Sequence, residues 1–471
     1  MSFVVRLFLK YNPLKFILVF LVLVLIRITG FRMGIPITDP EITWLLVGER
    51  MADGFTLYKE IWTELEPFSA GTYYFIDLIV GKSTLVYFII SLLLVFGQAV
   101  IFNRGLNENK TFRNNSALPA LFYVLFSSLF FDFYTLSPVL LGLTFILLAF
   151  NIICVQSRIM IGEDRFFYIG LLTGIASLFY APFSFFLLFA LFSLGLYSNT
   201  SVKKQMIMVL AFFFPYIVLL IYYFWIDNLG NYYEYTLLPL LNSAPEFLID
   251  VPTIIKIAVL PLLLLLISSV AIVVRGKYIH YQYKIIKIAG LWLLTGILAL
   301  GIEKSLTPHS FIMFVPPLAF FSTHLFLLAS RNKIISEIFF LVMFGGIMTI
   351  SFYALKKPDS YTKAHLIKSV PKEMATLGVK DKKLLVFGNE KGYYINNRLA
   401  GPYLNWSLSA WQFADLKKYD NVSGIYEVLE INKPDYIVDQ EKKMGSIMEV
   451  IPILKSQYER IDTTNIYRRR K

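Results

Sequence analysis

Eight carboxylates fall between residues 39 and 77: Asp39, Glu41, Glu49, Asp53, Glu60, Glu64, Glu66 and Asp77. A carboxylate beside a membrane face and partly shielded from water can serve as a general base or bind a metal ion. Fully solvated, the same group does neither. Asp132, in the run FFDFYTLSP, is the next candidate, because an ionisable group at the edge of an apolar segment is usually paired or functional. It is either a second acid facing the same cavity as Asp39 or an ion-pair partner for Arg27. His324 reads as a helix–helix hydrogen bonder and Glu303-Lys304 as an interfacial ion pair.

The elements that carry these residues belong to a membrane protein. Of 471 residues, 57% are hydrophobic and 16% charged, well below the roughly 25% charged content of soluble domains. A bilayer-spanning helix needs about 20 mostly apolar residues, which gives about eleven candidates. They are 14–31, 84–103, 117–135, 138–156, 166–180, 182–198, 206–225, 252–274, 285–302, 309–329 and 335–355. Tyr180-Ala181-Pro182 divides a run too long for one span, since proline lacks an amide donor and clashes with the preceding turn. No small-residue cleavage site follows the apolar run 16–26, so the first span reads as a helix rather than a removed signal.

Loop charge sets the expected orientation. Arg6, Lys10 and Lys15 precede the first span, and basic groups follow every second span: Arg104/Lys110/Arg113, Arg158/Arg165, Lys203/Lys204, Arg275/Lys277/Lys284 and Arg331/Lys333. The alternate loops are acidic or nearly uncharged; 226–251 holds Asp227, Glu234, Glu246 and Asp250 with no Lys or Arg. The positive-inside rule then puts the N-terminus in the cytoplasm and the C-terminus outside. The net charge of +12 is explained by these loops rather than by nucleic acid, and the single cysteine, Cys154, excludes an intramolecular disulfide.

Two segments depart from the membrane pattern. The first outer loop, 32–83, is longer than a connection requires, and Trp44–Val47 and Leu57–Trp62 are spaced as amphipathic helices along the membrane surface. From about Lys356 the composition is that of a soluble α/β domain. Lys383–Gly388 and Tyr393–Ile395 predict strands, Val422–Ile431 a helix, and Tyr436–Asp439 a returning strand, together a βαβ-like unit. Asn389-Glu390 follows the first of these strands, at a place that is either a ligand-binding edge or a plain turn. The expected domains are therefore 1–355 in the membrane and an extracytoplasmic 356–471.

Arg27, then Pro36-x-x-Asp39-Pro40-Glu41, Gly54-x-x-Leu57-Tyr58-x-x-Ile61-Trp62, Pro67, Tyr73 and Gly81 resemble the opening of the GT-C superfamily of polytopic glycosyltransferases. Protein O-mannosyltransferases and the lipid A aminoarabinose transferase belong to that superfamily. The chain is also similar to inner-membrane proteins of the Bacteroidota. That similarity runs from Pro40 to Ser83 (opening PEITWLLVGERMADGFTLYKEIW), through Leu136–Leu141 and Gly174–Tyr180. It continues in VFGNEKGYYINNR (386–398), PYLNW (402–406) and KPDYIVD (433–439).

The resemblance implies a GT-C-like helical membrane domain that takes a sugar from a polyprenyl-phosphate carrier and passes it to a glycan, lipid or protein acceptor outside the membrane. It implies Asp39 as the base that deprotonates the acceptor hydroxyl and Glu41 as the second acid. Two departures stand out: Pro40 separates the acids, and the aminoarabinose-transferase motif Glu-Lys-Pro-Pro appears as Glu64-Leu65-Glu66-Pro67, without its cation. Arg50, Lys59 or Lys82, or Lys304 and His309 at another outer loop, remain as phosphate partners, and a divalent cation remains an option. The implied setting is the bilayer of the cell inner membrane, with the C-terminal domain periplasmic. A non-catalytic scaffold or accessory subunit of envelope export or motility machinery is the competing expectation. A transporter should show paired halves or broken helices at matching positions, and the sequence offers no convincing ones.

Overall fold

The computed structural model describes residues 8, 12–159, 162–198, 200–238, 246–247, 249–303, 305–329, 333–358, 366–367, 370–461 and 464–470. Among them, eight helices are long and apolar enough to cross a membrane: Leu14–Arg32, Thr84–Glu108, Pro138–Arg158, Val202–Trp225, Val251–Arg275, His280–Leu300, Pro308–Leu328 and Ser336–Lys356. The chain is a multi-pass membrane protein. The other three expected spans form shorter pieces. Segment 117–135 is the helix Leu118–Phe126 and the 3-10 turn Phe131–Tyr134, 166–180 corresponds to the helix Glu163–Phe179, and 182–198 to the apolar stretch Ala181–Tyr197.

Local sequence sets these ends. Tyr180 leaves the helix in an extended conformation immediately before Ala181-Pro182. Ser137 caps Pro138–Arg158 by accepting from the Leu140 amide at 3.2 Å, a serine cap followed by proline at the first helical position.

Two compact units divide the chain. One comprises Met1–Ile35, Thr84–Ile221 and Ala244–Ala364; the other Pro36–Ser83, Tyr222–Ser243 and His365–Lys471. The first is a helical bundle whose polar side chains are tied across helices, as an apolar solvent requires. Gln98 donates to the Leu140 carbonyl and to Thr144 and accepts from Tyr123. Gly170 and Gly174 leave no room for a Cβ against the backbone at Met208 and Phe212, so small residues set the close approach of those two helices. Trp292 meets Phe150, Phe186 and Phe189 edge to face.

The second unit contains a five-stranded sheet. In chain order the strands are β1 (Lys383–Phe387), β2 (Arg398–Leu399), β3 (Tyr436–Asp439), β4 (Tyr458–Arg460) and β5 (Ile466–Arg469), arranged β2-β1-β3-β5-β4. β2, β1 and β3 are parallel, and β5 runs antiparallel to β3 and β4. The expected β1–helix–β3 unit is present, with the helix Tyr419–Asn432 leading into β3. Leu385, Phe387, Tyr403, Phe413, Ile425, Leu429 and Ile437 form part of its core.

Two local expectations differ from the structure. Tyr393–Ile395 is not a strand: Lys391–Tyr394 is a 3-10 turn, and the Tyr394 hydroxyl accepts from the Val386 amide at 3.0 Å. The ring thus folds back onto β1, and the pairing strand starts at Arg398. The stretch 57–62 is not helical either. Gly54, at φ +93°, follows the helix Asp39–Ala52, and Tyr58 turns into the left-handed region at φ +67°. Its ring is fully buried against Tyr223 and Tyr232 while its hydroxyl donates to the Leu65 carbonyl. Burial of one large aromatic outweighs helical spacing here, because a left-handed tyrosine costs only about 1–3 kcal/mol.

Candidate active site

Thr38 is extended and Asp39-Pro40-Glu41 open the helix Asp39–Ala52. Proline at the first turn sacrifices no intrahelical bond, and the positive end of the helix dipole favours carboxylates there. The helix is fixed by its buried face: Ile42, Trp44, Leu45, Leu46 and Val47 are inside, and Trp44 stacks on Tyr73 of the helix Pro67–Val80 at 5.9 Å. Glu41 points into this interior and is 6% exposed. Asp39 stays at the rim, its side chain 28% exposed.

Lys391 provides the cation that sequence reasoning missed. Its ammonium donates to Asp39 Oδ2 at 2.8 Å, with the lysine side chain 14% exposed. Among the described residues, nothing donates to Oδ1. Lys391 stands in the loop after β1, at the carboxyl edge of three parallel strands, where α/β sheets commonly bind ligands. That loop is tied to the one after β3. The Glu390 amide donates to Gln440 Oε1 and Gln440 Nε2 returns to Glu390 Oε2 at 2.8 Å, while the Gln440 and Glu441 amides donate to the Phe387 carbonyl. The signal was Asn389-Glu390 after a strand; the lysine follows directly.

The other basic candidates of this unit occupy different environments. Lys82 donates to the Tyr394 and Asn397 carbonyls at 2.8 and 2.7 Å and pairs with Glu49 at 3.4 Å. Burial lowers the Lys82 ammonium pKa and raises that of the Glu49 carboxyl, each partly opposed by the other's charge. Arg50 is 4% exposed, donates to Asn432 and to the Leu399 carbonyl, and lies over the Phe55 ring. Its pKa falls to about 10 through burial, with Asp53 and Glu60 pulling the other way. Lys59 is exposed.

The helical bundle holds the remaining candidates. Arg27 is completely buried and donates to Ser91 at 2.8 Å and to the Phe133 and Ser127 carbonyls at 3.0 and 3.5 Å, with Tyr134 beneath it. Neutral oxygens and a ring therefore hold this cation; among the described residues it pairs with no carboxylate, Asp132 included. Asp132 is buried 4.0 Å from His309 Nδ1, and Oδ1 has no hydrogen-bond partner. Thr307 bonds the His309 ring, and Ser310 donates to the buried Glu303. Lys304 lies outside the described residues. His324 is boxed by Phe112, Phe320 and Tyr278, and among the described residues its Nε2 has no hydrogen-bond partner to join it to another helix. Among the described residues, no three His, Cys, Asp or Glu side chains are grouped to hold a metal ion.

Two solved structures share the fold. The ArnT structure from Cupriavidus metallidurans, bound to undecaprenyl phosphate, matches with a TM-score of 0.56 at 10% identity over 97% of this chain and 98% of its own. The archaeal oligosaccharyltransferase AglB from Archaeoglobus fulgidus, in complex with an inhibitory peptide and a dolichol-phosphate, matches with a TM-score of 0.50. There the identity is 9%, over 94% of this chain and 72% of that one. No protein-family model and no curated protein sequence matches the chain. The likeness is one of architecture: the chain shares the overall fold of these two membrane proteins, with a small α/β sheet near its C-terminal end.

Proposed function

We propose that this protein is a membrane glycosyltransferase that moves a sugar from a polyprenyl-phosphate carrier to an acceptor on the extracytoplasmic face of the cell inner membrane. The N-terminus is cytoplasmic and segment 356–471 periplasmic in this reading. The observation that carries it is the carboxylate–ammonium pair Asp39–Lys391, 2.8 Å apart, on a chain with this fold. Asp39 Oδ1 takes the proton of the acceptor hydroxyl as its oxygen attacks the anomeric carbon. The bond from that carbon to the phosphate oxygen breaks, and polyprenyl phosphate departs with the electron pair. Such a base contributes about 10²–10⁴-fold. Lys391 orients the carboxylate through Oδ2. Glu41, in the same turn, supports the helix terminus. Asp132 and His309 lie 4.0 Å apart within the bundle, and exposed Lys59 is assigned to the carrier's phosphate.

The test is Asp39→Asn, which removes the base at constant volume. Transfer from a polyprenyl-phosphate sugar should fall by about 10²–10⁴-fold while membrane insertion and thermal stability stay at wild-type levels. Full activity in this variant would overturn the proposal. A non-catalytic scaffold is the second reading. Lys82 and Arg50 favour it, since both spend donors on backbone carbonyls, as packing residues do. A deletion strain with wild-type envelope glycans would support the scaffold against the enzyme.

A further inference from the structure

The segment PYLNW and the residues after it lie outside the site built above. Trp62 lies nearly parallel to Tyr235, with centroids 5.6 Å apart and 19° between planes, and to Trp411, at 6.1 Å and 18°. Tyr403 meets Trp62 edge to face at 5.4 Å. The three parallel rings run from buried to open: Tyr235 is 5% exposed, Trp62 is partly buried and Trp411 is 51% exposed.

The turn that carries Trp411 is packed through its neighbours. Its turn, Ala410–Phe413, buries Gln412 and Phe413. Gln412 accepts from the Tyr403 hydroxyl at 2.9 Å, and Phe413 stacks on Trp406 at 5.0 Å. The Trp62 amide donates to the Pro402 carbonyl and its indole N–H to the Lys59 carbonyl. A large apolar ring, half in water yet stacked on a partly buried indole, is a surface already laid against its support. Fixing it beforehand removes an ordering cost from binding.

Shape and polarity select the ligand. A flat indole presents its negative π face to weakly polarised C–H groups, and the ring of a pyranose offers a patch of such C–H groups on one side. Hydroxyl groups at the sugar's edge need polar partners, and the same segment carries half-buried Asn405 and exposed Ser407, whose hydroxyl donates to Asn405 Oδ1 at 2.7 Å. A quaternary cation would call for several ring faces closing around it. A membrane-interface anchor needs no fixed plane.

We infer that Trp411, backed by Trp62 and Tyr235, is a carbohydrate-stacking platform that holds a neutral sugar ring of the acceptor glycan. The inference rests on the glycosyltransferase reading for the word acceptor, and only for that. The full chain in detergent is titrated with tetrasaccharides of glucose, mannose and N-acetylglucosamine, following tryptophan emission and heat. At least one should bind. Trp411→Ala should weaken that binding about tenfold or more, as expected for loss of one stacked ring. Trp411→Phe should retain part of it, and Asp39→Asn all of it. Trp411→Ala binding as tightly as wild type, or no tetrasaccharide binding at all, overturns the platform. So does placement of Trp411 in the bilayer, detected as brominated-lipid quenching of the emission that Trp411→Phe loses. The two readings fail separately. Sugar binding with an active Asp39→Asn removes the base and leaves the platform, while an inactive Asp39→Asn beside a Trp411→Ala that binds sugar as tightly as wild type does the reverse.

Discussion

An ammonium 2.8 Å from one carboxylate oxygen fixes the direction of the other, so Lys391 matters through Asp39's geometry as well as its charge. Lys391→Ala should lower transfer by about tenfold, with Lys391→Arg recovering part, because a charge-assisted bond is worth about 1.5–3 kcal/mol. Rates of the three proteins on one donor check this, and equal rates for wild type and Lys391→Ala would refute it. Glu49 carries a pH prediction. Burial raises its carboxyl above 4.5 despite Lys82, so the folded state holds that proton more tightly than the unfolded chain. The stability this provides is present below about pH 4.5 and is lost as pH rises through the folded value. Glu49→Gln removes that loss. Its melting temperature relative to wild type should therefore rise between about pH 4 and about pH 7. A difference that does not change with pH would contradict the assignment.

At the scale of elements, the helix Asp39–Ala52 is where pattern and structure agree most closely. Its apolar spacing survives as a helix, but the apolar face expected along the membrane surface is buried inside the protein, with Trp44 stacked on Tyr73. Tyr58 shows the opposite case, since a ring's burial and a hydroxyl's carbonyl partner are tertiary facts that residue spacing does not carry. Lys391 was hidden for the same reason: residues 39 and 391 meet only because the first outer loop packs in one unit with the C-terminal sheet. Asn389-Glu390 marked the loop that carries Lys391 and not the residue it pairs with. The Trp44–Tyr73 crossing yields a further test. A Cβ on Gly48 would meet the Tyr73 backbone oxygen, and backbone cannot step aside as a flexible side chain can. Gly48→Ala should destabilise the protein by about 1–3 kcal/mol and disturb the Asp39 terminus with it. An unchanged melting temperature for the purified variant would show that the two helices have slack.

Over the whole molecule, charge and hydropathy run in step. Basic loops recur after every second apolar segment, and the second unit gathers the long first loop, the acidic stretch near 226–243 and the C-terminal sheet. If the base must face a lipid-linked donor outside the cell, those three segments share one side of the membrane and the basic loops the other. Cys154 is the one cysteine and it is buried, so a cysteine-free background is one substitution away. In Cys154→Ala, Lys417→Cys should react with a membrane-impermeant maleimide once the outer membrane alone is opened. Lys277→Cys, also exposed, should react only after the inner membrane is opened too. Early labelling at 277, or protection at 417, would invert the orientation. Asp39 would then face the cytoplasm, and a transfer reaction on the outer leaflet would lose its base.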